Sequence, residues 1–470
     1  MARRIEILDT TLRDGNKLPF AVLSHDDRAA LAAQLSRLGV DVIEAGFPSA
    51  SPEEAECVRR ICEETDGPYV GALARALPRD LDLALEILAR ASRPYLHLFM
   101  SVAPQFLDKV FGKVEGHALE NVRRCVQAGV AAGVRVQFSV SEAPHARKEL
   151  LRDACLAARD AGAHVINLAD TNGVLSPEDV GALVSEVRAL LAAGSTGAEP
   201  LVGIHCHNDL GLASANTLAA VRAGASHVEV TVGGFGERAG NAALEEVAFL
   251  LSAFGGRCDA THGIRLEEIA RTSRLFDSMT GVRTHPNKAV IGQCAFLPAT
   301  GGFPGKSLDP AMRELLQDKT IGRIPGVQAP LPPVSESKGP YSLESFSVST
   351  GSHSPPVGVV VIRRGGATLT QSSHGNGPID ALFRAVDKAL GFSTRMVLYS
   401  VSTLSTGTEA QTEVIVTAEL RGRRFHGRHT STDVIEASLR AYMKACNAIG
   451  ESGLHEGSPD FHVAGEYLWE

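Results

Sequence analysis

No Cys-x-x-Cys pair occurs among the 8 cysteines of this chain. Scattered cysteines of this kind read as reduced, mostly buried thiols of a cytoplasmic protein. A long basic run is also missing, and a formal net charge of -8 argues against a nucleic-acid surface. No apolar stretch is long and uninterrupted enough to span a membrane. The first residues, Met1-Ala2-Arg3-Arg4-Ile5, lead into a strand that carries an acid, so they are not read as a signal peptide. Low-complexity tracts are absent, and no sequence repeat stands out beyond one recurring βα rhythm. What remains is a 470-residue chain with 44% hydrophobic and 21% charged residues, the profile of a globular protein of two or three domains.

The rhythm runs from residue 4 to about residue 255. Short β-branched runs at 4–10, 41–47, 69–74, 95–101, 134–140, 164–170, 201–207 and 227–232 alternate with amphipathic helical segments. Ser24 is a helix N-cap, followed by an apolar face at Leu31, Leu35 and Leu38 and a stop at Gly39. Ser51-Pro52-Glu53-Glu54 and Ser176-Pro177-Glu178-Asp179 each supply a cap, a proline at the first helical position and acids in the first turn. Eight such units predict an α/β fold, a (β/α)8 TIM barrel, over residues 1–257. An open doubly wound sheet gives the same alternation, usually with fewer strands. Residues 258–340 read as a helical subdomain that ends in a proline-rich linker. Residues 341–470 read as an α+β domain, with strands at 341–350, 357–363, 395–404 and 413–420 around helices at 378–390 and 432–449.

In a barrel, active-site residues belong at the C-terminal ends of the strands. Polar residues cluster there. Asp9, Arg13 and Asp14 follow the first strand, and His97 lies on the fourth. Asp170 and Thr171 end the sixth, His205 and His207 end the seventh, and Glu237 and Asn241 follow the eighth. His205 and His207 share one face of an extended strand, which aims two imidazoles at one point. Two hydrogen-bonded core histidines satisfy the same spacing. Strand closure brings Asp14 and Asn241 toward the pair, a nitrogen and oxygen set that suits Mn²⁺, Mg²⁺ or Zn²⁺ alike. Arg13 is placed to meet an anion beside such an ion. A surface ion pair with Asp14 is the alternative.

The segments 8–15 (Leu-Asp-Thr-Thr-Leu-Arg-Asp-Gly), 205–211 (His-Cys-His-Asn-Asp-Leu-Gly) and 236–242 (Gly-Glu-Arg-Ala-Gly-Asn-Ala) resemble signatures of one family. It is the group of 2-isopropylmalate, homocitrate and citramalate synthases, metal-dependent Claisen-condensing barrels. The segments 375–383 and 431–438 resemble the regulatory domain of the isopropylmalate synthases, so the likeness covers nearly the whole chain. It implies condensation of an acyl-CoA, usually acetyl-CoA, with a 2-oxo acid to give an alkylmalate-type 2-hydroxy diacid. It carries over Asp14, His205, His207 and Asn241 as metal residues and Arg13 as the group that stabilises the alkoxide. Thr171 matches a threonine that contacts the substrate carboxylate, and His97 matches a pocket histidine; strand-end packing is the alternative for both. It also implies a homodimer and an end-product amino acid as effector, leucine in the best-known branch.

Three places depart from the family pattern. Lys17 stands where a neutral amide is usual, either meeting an extra negative group of the substrate or facing water. The fifth strand carries Ser141 where a glutamate that assists acyl-CoA proton transfer is usual. Glu142 follows by one residue and points to the opposite side unless the strand bulges there. Pro298 and Phe303 replace two histidines of the family, the first a proposed catalytic residue. These departures keep two further readings open: a metal-dependent aldolase or lyase acting without CoA, and a metabolite-binding protein without turnover.

Overall fold

The computed structural model describes residues 2–17, 23–102, 115–193, 199–282, 284–292, 295, 318–322, 339–403 and 411–452. Pro298, Phe303 and the proline-rich stretch from 324 to 338 lie outside the described residues. The chain divides into two compact units, Met1–Val327 and Gln328–Glu470.

The first unit is a closed barrel of eight parallel strands. They are β1 (Glu6–Asp9), β2 (Val42–Gly46), β3 (Tyr69–Arg75), β4 (Pro94–Ser101), β5 (Arg135–Ser141), β6 (Val165–Asp170), β7 (Leu201–Cys206) and β8 (His227–Val230). Closure is made by β8 against β1, with Glu6 opposite His227 and Asp9 opposite Val230. The eight sequence runs and the TIM-barrel expectation therefore hold. Helices α1 (His25–Leu38), α2 (Pro52–Glu64), α3 (Pro78–Leu88), α4 (Glu115–Ala131), α5 (Lys148–Asp160), α6 (Pro177–Ala192), α7 (Ala213–Ala223) and α8 (Leu244–Cys258) form the outer layer, and α9 (Ile269–Thr280) follows.

The helix starts obey their sequence signals. Ser24 and Ser176 each close a capping box, with Asp27 and Asp179 respectively, and Ser51 caps α2 ahead of Pro52. Gly39 ends α1 in the left-handed region at φ 90, where a Cβ is disfavoured. Leu31, Leu35 and Leu38 are fully buried against the barrel.

The second unit holds two three-stranded antiparallel sheets. One is β9 (Tyr341–Gly351), β10 (Ser354–Arg364) and β11 (Ala367–His374), followed by α10 (Pro378–Leu390). The other is β12 (Arg395–Thr403), β13 (Thr412–Leu420) and β14 (Arg423–Ser431), followed by α11 (Val434–Glu451). The βββα order thus occurs twice, a duplication that no repeat in the amino-acid sequence signals. Strands β11 and β14 are also additions to the sequence reading. Both are polar, β11 largely exposed and β14 mostly half-buried, and neither carries a continuous apolar run. Their signals are the Gly365-Gly366 and Arg421-Gly422 turns, whose four residues all have positive φ. Val360, Ile362, Leu382, Val386, Val414, Val416, Leu439 and Tyr442 build one core from both halves. Phe383 stacks on Tyr442 with ring centroids 4.3 Å apart.

Candidate active site and metal centre

After β1 the chain makes a helical turn. The N–H groups of Arg13, Asp14 and Gly15 all converge on the carbonyl of Thr10, at 3.1, 2.8 and 3.1 Å. A Cβ on Gly15 would lie 2.6 Å from the carbonyl oxygen of Thr11, so the turn requires glycine there. The turn sends Arg13 and Asp14 back over the barrel mouth. On the far side of the closure, β7 presents His205 at its end and His207 just beyond. His207 forms a bridge with Asn241, and Asn208 N–H donates to the Gly240 carbonyl at 2.8 Å.

These turns bring Asp14, His205 and His207 together. One ligand atom from each falls within 4.8 Å of the others. Both imidazole Nε2 atoms lie 3.7 Å from Asp14 Oδ2. All three residues are buried, as is Asn241. Asn241 Nδ2 donates to the Phe235 carbonyl at 3.1 Å, while its Oδ1 has no hydrogen-bond partner. Neither Asp14 oxygen accepts a hydrogen bond. Asp14 Oδ1 is ion-paired with Lys17 and Arg13, but Asp14 Oδ2 and Asn241 Oδ1, buried beside two imidazoles without a hydrogen-bond donor, are costly unless a cation takes them up. This nitrogen and oxygen set fits a divalent ion.

The electrostatics agree. Burial works against the Asp14 carboxylate, yet Arg13, His205 and Lys17 together hold it well below the usual carboxylate range. Burial, then the neighbouring His205, pulls His207 down to about 4, which keeps its imidazole neutral and free to ligate. Burial also works against the charge on His205, but the Glu229 and Asp14 carboxylates more than offset it and raise its pKa.

Arg13 is anchored from below. Its Nε donates to Glu44 Oε2 at 2.7 Å, and its Nη1 lies 3.4 Å from Asp14 Oδ1. Glu44 and Asp14 offset the burial of the guanidinium and hold it charged. Lys17 bridges two carboxylates, with Nζ 3.1 Å from Asp14 Oδ1 and 2.8 Å from Glu237 Oε1. It thus stands at the rim of the site. His97 sits deeper, with both ring nitrogens engaged: Nδ1 with Glu44 Oε1 at 2.5 Å and Nε2 with Ser139 Oγ at 2.6 Å.

Glu142 resolves the ambiguity in the sequence. Strand β5 stops at Ser141, and Glu142 takes the left-handed conformation at φ 54. That kink ends the alternation that would send it to the opposite side. Its carboxylate accepts from Ser101 Oγ at 2.6 Å, and its backbone N–H donates to Thr171 Oγ1 at 2.9 Å. A non-glycine residue held at positive φ stores strain, a feature that clusters at functional sites.

Two carboxylates beneath the site escaped the sequence reading: Glu44 on β2 and Glu229 on β8. Both are buried, Glu44 in the otherwise apolar β2 and Glu229 between two valines of β8. A lone glutamate inside such a run is the signal that could have found them. Arg238 is another omission. Held at φ 55, it grips both carboxylate oxygens of Asp209 at 2.8 and 2.9 Å and donates to the Thr171 carbonyl at 2.7 Å. It ties the loops after β6, β7 and β8 together.

Residues 4–276 match the HMGL-like family, and residues 313–450 match the LeuA allosteric (dimerisation) domain. The 2-isopropylmalate synthase of Pyrococcus furiosus is 37% identical, covering 96% of this chain and 100% of that protein. The 2-isopropylmalate synthase of Heliobacterium modesticaldum is 34% identical, covering 97% and 98%. The chain belongs to the 2-isopropylmalate synthase family. Among solved structures, the HMG-CoA lyase of Brucella melitensis matches with a TM-score of 0.51 at 20% identity, over 60% of this chain and 100% of that one. The Bacillus subtilis HMG-CoA lyase matches at 0.50 and 22%, over 60% and 96%. At those identities the likeness is one of fold. Membership of the 2-isopropylmalate synthase family makes this chain an enzyme with a C-terminal regulatory-type domain, and the cluster at the barrel mouth is its candidate metal site.

Proposed function

We propose that this enzyme condenses acetyl-CoA with a 2-oxo acid and that water then hydrolyses the thioester, releasing an alkylmalate-type 2-hydroxy diacid and free CoA. Asp14, His205, His207 and Asn241 are the residues that would hold a divalent cation, Mn²⁺, Mg²⁺ or Zn²⁺. When bound, that ion supplies Lewis-acid polarisation of the ketone. Arg13, fixed by Glu44, offers its guanidinium to the oxygen that gains charge as the ketone is attacked. Glu142 takes the α-proton of the acyl group. Thr171 binds the substrate carboxylate through its hydroxyl, His97 shapes the pocket floor, and Lys17 meets negative charge at the rim. The observation that carries this reading is the Asp14, His205 and His207 cluster with Arg13 beside it.

We assign catalysis to residues 1–257, the connection to 258–340, and dimer formation and binding of an amino-acid effector to 341–470. No helix among the described residues is long and apolar enough to cross a membrane. The seven described cysteines are free, which supports a reducing, cytoplasmic setting.

The test is incubation of the full chain with Mn²⁺, acetyl-CoA and a panel of 2-oxo acids, reading thiol release. Thiol that depends on one 2-oxo acid is the expected result, and silence across a broad panel overturns the reading. Pyruvate formed from 4-hydroxy-2-oxo acids without CoA would establish the aldolase alternative instead.

A further inference from the structure

Most barrels of this kind fill their interior with Val, Ile and Leu. Here Tyr95, His97, Gln137, Ser139 and Glu229 lie inside, each nine-tenths or more buried. Their hydrogen bonds run in one direction only. A carbonyl oxygen accepts and never donates, so the 2.6 Å contact between Tyr95 Oη and Gln137 Oε1 is donated by the phenol. This turns the Gln137 amide so that Nε2 faces the other way. Nε2 donates to Glu229 Oε1 at 2.6 Å and to Ser139 Oγ at 3.0 Å.

From there the network forks. Ser139 Oγ also accepts from Asn167 Nδ2 at 3.0 Å. With both lone pairs engaged, its own proton goes to His97 Nε2. Gln137 Nε2 also lies 2.9 Å from that nitrogen, and a proton on His97 Nε2 would clash with the amide's own hydrogens. His97 therefore carries its proton on Nδ1 and donates it to Glu44, whose other oxygen holds Arg13. On the second branch, Glu229 Oε2 lies 2.8 Å from His205 Nδ1, somewhat off the line of a good hydrogen bond. A carboxylate there favours a proton on Nδ1 and leaves the Nε2 lone pair facing Asp14. Among the described residues, Tyr95 shares no hydrogen bond with Asp14, His205 or His207.

We propose that Tyr95 and Gln137 are positioning residues: the hydroxyl of Tyr95 orients the Gln137 amide, and that amide sets the His205 tautomer and the stance of Glu44 beneath Arg13. The inference rests on the reading of Asp14, His205 and His207 as metal ligands. Without the Tyr95 hydroxyl the buried Gln137 carbonyl would be left without a donor and only the Glu229 carboxylate would hold the amide, so both branches would loosen.

The test is calorimetric titration of the full chain with Mn²⁺, without substrate, for wild type, Tyr95→Phe, Gln137→Met and the double variant. Each single variant should weaken Mn²⁺ binding about tenfold, the low end for groups that act through a ligand. The double variant should be no weaker than Gln137→Met, because Tyr95 acts through that amide. The visible bands of the Co²⁺-loaded protein should shift in the same variants, which a loss of packing alone would not cause. Unchanged Mn²⁺ affinity in Tyr95→Phe, or additive losses in the double variant, overturns the inference alone. A wild-type chain that binds no divalent ion overturns the site reading and this inference with it. Should Tyr95→Phe fail to fold, unchanged affinity and bands in Gln137→Met overturn the inference just as well.

Discussion

Glu142 donates its backbone N–H to Thr171 Oγ1 at 2.9 Å, so two candidate substrate-facing residues fix each other. The bond joins the end of β5 to the end of β6, and Ser101 at the end of β4 completes the frame. Glu142 is thereby presented at the barrel mouth despite its sequence offset. Glu142→Gln should lower kcat by about 10²- to 10⁴-fold, the usual range for a lost general base. Its Mn²⁺ affinity should stay within about twofold of wild type, because general acid-base work is separate from metal binding. Steady-state kinetics and calorimetry read the two effects; a kcat near wild type would remove Glu142 from the chemistry.

Arg13 depends on fork geometry as well as charge. Arg13→Lys keeps the charge but loses the arrangement that reaches Glu44 and Asp14 at once. It should cost about 10²- to 10³-fold in kcat, the range for a lost oxyanion donor. Single-turnover rates at saturating metal check this.

Asp14 offers the cluster its carboxylate oxygens. Asp14→Asn and His207→Ala should each abolish detectable Mn²⁺ binding in equilibrium dialysis, and thiol release should go with it. Retained stoichiometric binding in both variants would place the ion elsewhere.

In the second unit, burial pushes the Asp387 carboxyl up to about 6, against the donors Tyr442 and Thr394. An unfolded aspartate titrates near about 4. Between those values the folded state holds the extra proton. Stability of this unit should therefore fall as pH rises from about 4 to about 6, by at most about 3 kcal/mol for a shift of this size. The urea midpoint of wild type relative to that of Asp387→Asn should fall steadily from pH 4.5 through 5.5 to 7, and an unchanged difference would remove Asp387 as the cause.

Ser24 and Ser176 each satisfy a helix N-terminus through a reciprocal box. Ser24→Ala and Ser176→Ala should each lower unfolding free energy by about 1 kcal/mol in urea titration, with kcat unchanged.

Much of this protein is readable one segment at a time. Helix caps such as Ser24 and Ser176 act within four residues, and the barrel strands advertise themselves by β-branched runs. The His205 and His207 pair is legible because strand alternation is local. Strands β11 and β14 are not, since their polar residues become strand only by pairing with β10 and β13. Glu44 and Glu229 are visible as residues, but Arg13 lies 31 positions from Glu44 and Gln137 lies 92 from Glu229 in the chain.

The sequence by itself determined the eight-unit barrel, the second α+β unit and the residue types gathered at the strand ends, because periodicity, caps and motifs are short-range properties. The tertiary structure alone decided that Asp14 meets both imidazoles, that Glu142 bonds Ser101 and Thr171, and that Tyr95 gives the buried network its direction. Those outcomes depend on barrel closure and on hydrogen bonds between strands far apart in the chain, which no local pattern encodes.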